Sequence, residues 1–278
     1  MADPIAELGE RLAGEQYFAD EGLVTAVHLA LTLGRPLALE GEPGVGKTEI
    51  AKVLARLLGR ELIRLQCYEG LDAAQSLYEW DHPKQLLAIR ACEAEGRAVG
   101  DLYDPQFLME RPLLRALRVP SVLLIDEIDR ADSEFEAFLL EFLSDFQITI
   151  PELGTVTAVE RPVVVMTSNR TRELHDALKR RCLYHWIPFP EAERERRIVL
   201  ARAPGVDEAA ESLVAAVTGV RSLALIKPPG IAETIEWAQA AKQLSDEGAA
   251  WPVALRRSLG LLVKEREDTE AVLGHLAA

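Results

Sequence analysis

Residues 37–54 read LALEGEPGVGKTEIAKVL, and the eight from Gly41 to Thr48, GEPGVGKT, decide the fold. They fit G-x-x-x-x-G-K-[ST] without a mismatch. An apolar run precedes them, Pro36–Glu40 (PLALE). Ile50, Val53, Leu54, Leu57 and Leu58 follow at helical spacing, and Gly59 ends the run. Strand, glycine loop and helix in that order are the context a phosphate-binding loop requires. The glycines let backbone N–H groups turn toward phosphate oxygens, and the helix that follows presents its positive end to the same anion. Gly41, Glu42, Pro43, Gly44, Val45, Gly46, Lys47, Thr48 and Glu49 form the expected cradle. Lys47 is expected to reach the β- and γ-phosphates and Thr48 to ligate Mg²⁺.

Further apolar runs supply the rest of an α/β sheet. Glu61–Gln66 reads as a second strand. Pro120–Asp126 (PSVLLID) is apolar throughout, as a central parallel strand buried on both faces would be. Arg161–Thr167 and Leu183–Ile187 complete the set. Ser133–Phe146 places Phe135, Phe138, Leu139, Phe142, Leu143 and Phe146 on one helical face, four of the seven phenylalanines of the chain. That face is read as core. Residues 147–158 read as a hairpin with its turn near Pro151–Gly154. Residues 70–118 are long for one crossover and are expected to contain an inserted helix or loop. Residues 1–33 read as helical. Pro188 and Pro190 mark a boundary beyond which no strand signal occurs. Helical runs are expected over 191–203, 206–219, 231–246, 252–265 and 268–277. The expected organisation is therefore a core over 1–190 and an all-α region over 191–278.

Asp126 and Glu127 stand at the carboxyl end of a buried strand, where an acid can serve the magnesium of a P-loop site. Asp126 is expected to orient Mg²⁺ and Glu127 to activate the attacking water. Asn169 closes the strand VVVMTSN, where its amide could bond a γ-phosphate or the lytic water.

Composition narrows the alternatives. The chain has 278 residues, 49% of them hydrophobic, with a net charge of −14. Such a chain can bury a large core. No apolar run approaches the roughly 18 residues of a membrane span. The acidic, amphipathic start lacks the features of a signal peptide, so a cytoplasmic location is expected. The negative charge disfavours nucleic-acid partners, whose phosphates demand a basic face; the basic clusters 179–181 and 194–197 are short. Three scattered cysteines and five histidines have no metal-ligand spacing.

GEPGVGKT, LLIDEIDRA and VVVMTSNRTRELHDALKRRC, in this order, resemble the AAA+ ATPases over residues 36–190 and, within them, the MoxR family. YEGLDAAQSLYEW and FLLEFLSDFQITIPELG resemble the subgroup around CoxD. The resemblance implies a P-loop core whose parallel sheet is flanked by helices, with a smaller all-α lid over 191–278. It implies ATP as the nucleotide, Asn169 as the sensor-1 residue, a pre-sensor-1 hairpin at 147–158 and a helix-2 insertion at 70–118. It also implies assembly into a ring, commonly a hexamer, with Arg180 or Arg181 as the arginine finger. Expected partners are a von Willebrand factor A domain protein and a client enzyme. The activity implied is Mg²⁺-dependent ATP hydrolysis driving chaperone-like remodelling or maturation, including metalloenzyme assembly. A nucleotide switch with negligible turnover and a DNA-acting motor are the alternatives. LIKPPGIAETIEW departs from the family in lacking the lid arginine called sensor 2. Lys227 is the expected substitute, with Arg221 or no sensor 2 as the other options.

Overall fold

A computed structural model describes residues 3–276 apart from 97 and 99. The tips of the expected helical runs at residues 1, 2 and 277 lie outside the described residues. In chain order the elements are α1 (Pro4–Gly14), α2 (Glu21–Leu33), β1 (Leu37–Gly41), α3 (Lys47–Leu58), β2 (Glu61–Gln66), α4 (Ala73–Leu77), β3 (Tyr78–Trp80), α5 (His82–Glu95), β4 (Leu108–Glu110), α6 (Pro112–Arg118), β5 (Ser121–Asp126) and α7 (Ser133–Asp145). There follow β6 (Gln147–Ile150), β7 (Gly154–Thr157), β8 (Val163–Ser168), α8 (Asp176–Arg181), β9 (Leu183–Ile187), α9 (Ala192–Arg202), α10 (Ala210–Arg221), α11 (Ile231–Asp246), α12 (Trp251–Arg257), α13 (Leu259–Leu262) and α14 (Arg266–His275).

Five strands form one sheet in the order β2-β5-β8-β1-β9. β2 with β5, β5 with β8, and β8 with β1 are parallel. Residues 121–126 are all buried, as the uninterrupted apolar run requires. Register brings Gln66 opposite Asp126 and Glu40 opposite Ser168, so polar residues gather at the carboxyl edge of the sheet. In an open α/β sheet that edge is where ligands bind.

The described chain divides into two compact units. One comprises the residues up to Thr25, Gly41–Ile50 and Trp186 onward; the other comprises Ala26–Glu40 and Ala51–His185. In the second unit Phe135, Leu139, Phe142 and Phe146 of the α7 segment pack with Leu123, Ile125 and Met166 of the sheet. Each such side chain contributes about 1.5–3 kcal/mol by leaving water. Helix α7 is started by the Asp132 carboxylate, which accepts the Phe135 N–H at 2.8 Å. It ends where Phe146 turns left-handed at φ 48°. The first unit has its own helical core around Trp237, Val217 and Leu213. The indole N–H of Trp237 donates to the Leu255 carbonyl at 3.0 Å. No described helix is long and apolar enough to cross a membrane.

Three elements differ from the sequence reading. The expected helical stretch 1–33 is two helices, because residues 15–20 form a loop: Gln16 is left-handed at φ 60° and the Asp20 carboxylate accepts the Leu23 N–H at 2.8 Å. The run 252–265 breaks at Ser258 into α12 and α13. The irregular stretch 70–118 contains an antiparallel pair, β3 with β4, of three residues each, beside α4, α5 and α6. Its α5 leaves Leu86 and Leu87 exposed.

Candidate nucleotide site

In the first unit, the phosphate loop takes its shape from backbone that only glycine adopts freely: φ is +75° at Gly44 and +94° at Gly46. Lys47 opens α3. Its buried ammonium donates to the Gly41 and Glu42 carbonyls, both at 2.7 Å, so the charge is fixed inside the loop. Next to the loop lies a cavity of about 460 Å³. Its walls include Gly44–Gly46, Tyr17, Phe18, Ile187, Ile198 and Ile235. The Tyr17 hydroxyl donates to the Gly46 carbonyl at 3.3 Å, and burial pushes its phenol well above the ordinary value. Arg194 pairs with Asp20 at 2.7 Å and Arg202 with Glu49 at 3.3 Å, supplying charged groups along the wall. An anion cradle joined to an apolar chamber of this size suits a nucleotide, with phosphates in the loop and the base among the aliphatic side chains. The residues present fit that ligand.

The second unit holds the acidic candidates at the end of β5. Asp126 is buried; its Oδ1 accepts the Thr167 hydroxyl at 2.5 Å, and its Oδ2 accepts Arg64 Nε at 3.0 Å and Nη2 at 2.5 Å. Glu127 is left-handed, at φ 55°, and its N–H donates to the Thr167 oxygen at 3.0 Å. Thr167 thus pins the strained turn after β5 to the neighbouring strand. The Glu127 carboxylate accepts Gln66 Nε2 at 3.1 Å and pairs with Arg130 at 3.0 Å.

Asp129 joins this turn to the loop after β8. Its carboxylate accepts the Asn169 N–H at 3.2 Å, the Thr171 N–H at 2.9 Å and the Thr171 hydroxyl at 2.7 Å. Burial alone would raise its pKa, but the hydrogen bonds from Thr171 and Asn169 outweigh burial and hold it below the ordinary value. The half-buried Asn169 makes no side-chain hydrogen bond among the described residues, so its amide is available. Arg170 sits left-handed at φ 57°, with its N–H on the Ser168 hydroxyl and its guanidinium 3.7 Å from the buried Glu40.

The remaining candidates have distinct settings. Arg35 donates to the carbonyls of Arg180 at 2.6 Å and Arg181 at 3.2 Å, holding the end of α8. The Arg181 side chain is committed to the Leu140 carbonyl at 2.8 Å, whereas that of Arg180 is exposed and makes no contact of this kind among the described residues. Lys227 is exposed and pairs with Glu265 at 2.6 Å. Arg221 is largely buried. It makes a bidentate pair with Glu195 at 2.6 and 2.7 Å and lies 4.6 Å above the ring of Phe189. Tyr17, Gln66, Arg64, Thr167 and Asp129 were not singled out by sequence. Only the last acid of the DEID run offered a hint, for Asp129.

A glycine loop with a buried lysine, on a parallel sheet ordered β2-β5-β8-β1-β9, defines a P-loop nucleotide-binding protein. Residues 36–182, more than half of the 278, match the family described as AAA domain (dynein-related subfamily), and the chain belongs to that family of AAA+ ATPases. It is 24% identical to YojN of Bacillus subtilis over 197 residues, 68% of this chain and 59% of that one. It is 28% identical to the chaperone MoxR1 of Mycobacterium tuberculosis over 158 residues, 57% of this chain and 33% of that one. The chain therefore spans well under two thirds of the length of either relative. A mutant of RuvB from Thermotoga maritima superposes with a TM-score of 0.53 at 19% identity, covering 90% of this chain and 69% of that one, which shows the fold.

Proposed function

We propose that this chain hydrolyses ATP with Mg²⁺ and uses the energy for chaperone-like remodelling or maturation of a client protein complex, metalloenzyme assembly being one such setting. The observation that carries the reading is the phosphate loop, with Lys47 fixed in it, opening onto an apolar chamber of about 460 Å³. Lys47 would neutralise phosphate charge. Thr48 and Asp126 would hold Mg²⁺, a hard cation suited to one hydroxyl and one carboxylate with phosphate and water completing its shell. When bound, the cation supplies charge neutralisation at the phosphates. Glu127 would take the proton of the attacking water, and the unengaged amide of Asn169 would orient it. The chaperone MoxR1 among the relatives supports the remodelling role and the MoxR assignment.

In this reading residues 1–190 act as core and 191–278 as lid, and copies assemble into a ring, a hexamer in the family pattern. Arg180 is favoured over Arg181 as the residue offered to a neighbour, because the Arg181 side chain is committed to the Leu140 carbonyl while that of Arg180 makes no such bond among the described residues. Lys227 could serve as sensor 2 by leaving Glu265, its partner in an exposed pair that solvent screens. A von Willebrand factor A domain protein and a client enzyme are the proposed partners.

A second reading, a nucleotide switch of negligible turnover, is favoured by one observation: Gln66 and Arg130 both hold the Glu127 carboxylate. Steady-state hydrolysis against protein concentration, with Glu127→Gln in parallel, separates the two. The motor reading expects a rate that Glu127→Gln lowers by about 10²-fold or more while ATP stays bound. Binding without hydrolysis in the unaltered chain would favour the switch.

A further inference from the structure

Helix α11 begins against the phosphate loop. The N–H groups of Ile231 and Ala232 both donate to the Gly44 carbonyl, at 3.0 and 3.3 Å. A Cβ on Gly230 would lie 2.6 Å from the Pro43 carbonyl oxygen and 2.8 Å from Gly44 Cα. The two segments therefore meet backbone to backbone, with no room for a side chain between them. Gly230 has φ −81° and ψ −175°, a conformation open to any residue. Its missing side chain answers to the contact and not to its own backbone.

The helix start is held in this place from behind. The Gly230 N–H donates to Glu233 Oε2 at 3.1 Å, the one half of a capping box open to a glycine, and the next two N–H groups go to the loop. The Thr234 hydroxyl lies 3.0 Å from the Gly230 carbonyl and 3.1 Å from Glu195 Oε1. Arg221, paired with that same Glu195, donates Nε to the Pro229 carbonyl at 2.8 Å. Three side chains thus fix Pro229 and Gly230, and these in turn fix one face of Gly44. The positive φ of Gly44 shapes the other face of the same residue, the cradle. Displacing one face displaces the other. Lys227 and Arg221 are engaged by carboxylates, as are Arg194 and Arg202 on the chamber wall.

We propose that Gly230 is a positioning residue for the phosphate loop: the backbone clasp of Gly230–Ala232 on Pro43–Gly44 sets the conformation of the loop, and hence its nucleotide affinity. This rests on reading Gly41–Thr48 as the nucleotide site. The test is Gly230→Ala, which suits the local backbone and intrudes on the loop and on the Glu233 carboxylate, 2.8 Å from the added Cβ. Titration with a fluorescent ADP analogue is expected to show binding weakened by about tenfold to a hundredfold, the scale of an ångström-level misplacement. KM should rise more than kcat falls, and the melting temperature without nucleotide should hold within about 3 °C. Affinity within about twofold of the unaltered chain, at the resolution of such titrations, overturns the proposal. Should the variant misfold, hydrogen exchange on the unaltered chain decides instead. ADP should change exchange at the Ile231 and Ala232 amides more than elsewhere in α11, and an unchanged rate there overturns the proposal. If the unaltered chain binds no nucleotide while remaining folded, the nucleotide reading itself fails, an outcome distinct from binding that ignores Gly230→Ala.

Discussion

The phosphate loop and the acidic turn after β5 are built by opposite means. The loop is backbone work: glycines at positive φ, and carbonyls of Gly41 and Glu42 that hold Lys47. The turn is side-chain work: Thr167, Arg64 and Gln66 hold it from two neighbouring strands, and its own Asp129 ties it to Thr171 in the loop after β8. A backbone device is written in consecutive residues and can be read as a motif. A side-chain device is spread along the chain and becomes visible only when strands are put in register. The difference also predicts how each fails. The loop should fail by losing its ligand with little loss of stability, and the turn should fail by losing stability together with activity.

The largest expected effect tests the first half of that contrast. Lys47→Ala removes the buried ammonium fixed in the loop, and nucleotide affinity should fall by about 10²-fold or more, the loss of a charge-assisted contact. Calorimetric titration measures it. A melting temperature that collapsed with the affinity would show that the loop is structurally as demanding as the turn.

Thr167→Val addresses the second half. It leaves the Glu127 N–H and one oxygen of Asp126 without their partner, at about 1–3 kcal/mol. Thermal unfolding should shift down by roughly 2–4 °C per kcal/mol for a chain of this size. Hydrolysis should fall as well, because Glu127 loses its anchor.

Asp129→Asn is expected to act more mildly and through pH. The folded-state pKa of Asp129 lies below its ordinary value, so its contribution is fully present above about pH 4 and is lost as pH falls through the folded value. Denaturant midpoints of the parent should decline on acidification, and part of that decline should vanish in the variant. Equal slopes would remove Asp129 from the network.

The smallest effect concerns Cys67, which lies just beyond β2. Burial, with Asp126, Asp129 and Glu127 adding to it, pushes its thiol up to about 12. Alkylating reagents at about pH 8 should leave it unmodified, since the thiolate is the reactive form, and hydrolysis unchanged. Mass spectrometry reads the outcome directly.

The same contrast explains what the sequence could disclose. β2, β5 and α7 lay within a residue of their expected bounds because their apolar patterns are long or unbroken. Lys47, Asp126 and Glu127 were legible because a motif names them. β3 and β4, three residues each, carry too few positions for a period to register. The loop at 15–20 was absorbed into a helix because Leu23, Val27 and Ala30 keep helical spacing while its own punctuation, Gly14 and Asp20, is light. Thr167 and Gln66 look like ordinary strand ends until the register sets both beside the acidic turn.

That loop at 15–20 bears on how the chain can be cut. The family match begins at residue 36 and stops at 182. Tyr17, Phe18, Ile187, Ile198 and Ile235, which wall the chamber, all lie outside those limits. A fragment trimmed to the recognisable segment would carry every residue of the motif and still have nowhere to seat a base. A protease that clips the first twenty residues would leave the signature intact while stripping Tyr17 and Phe18 from the chamber wall.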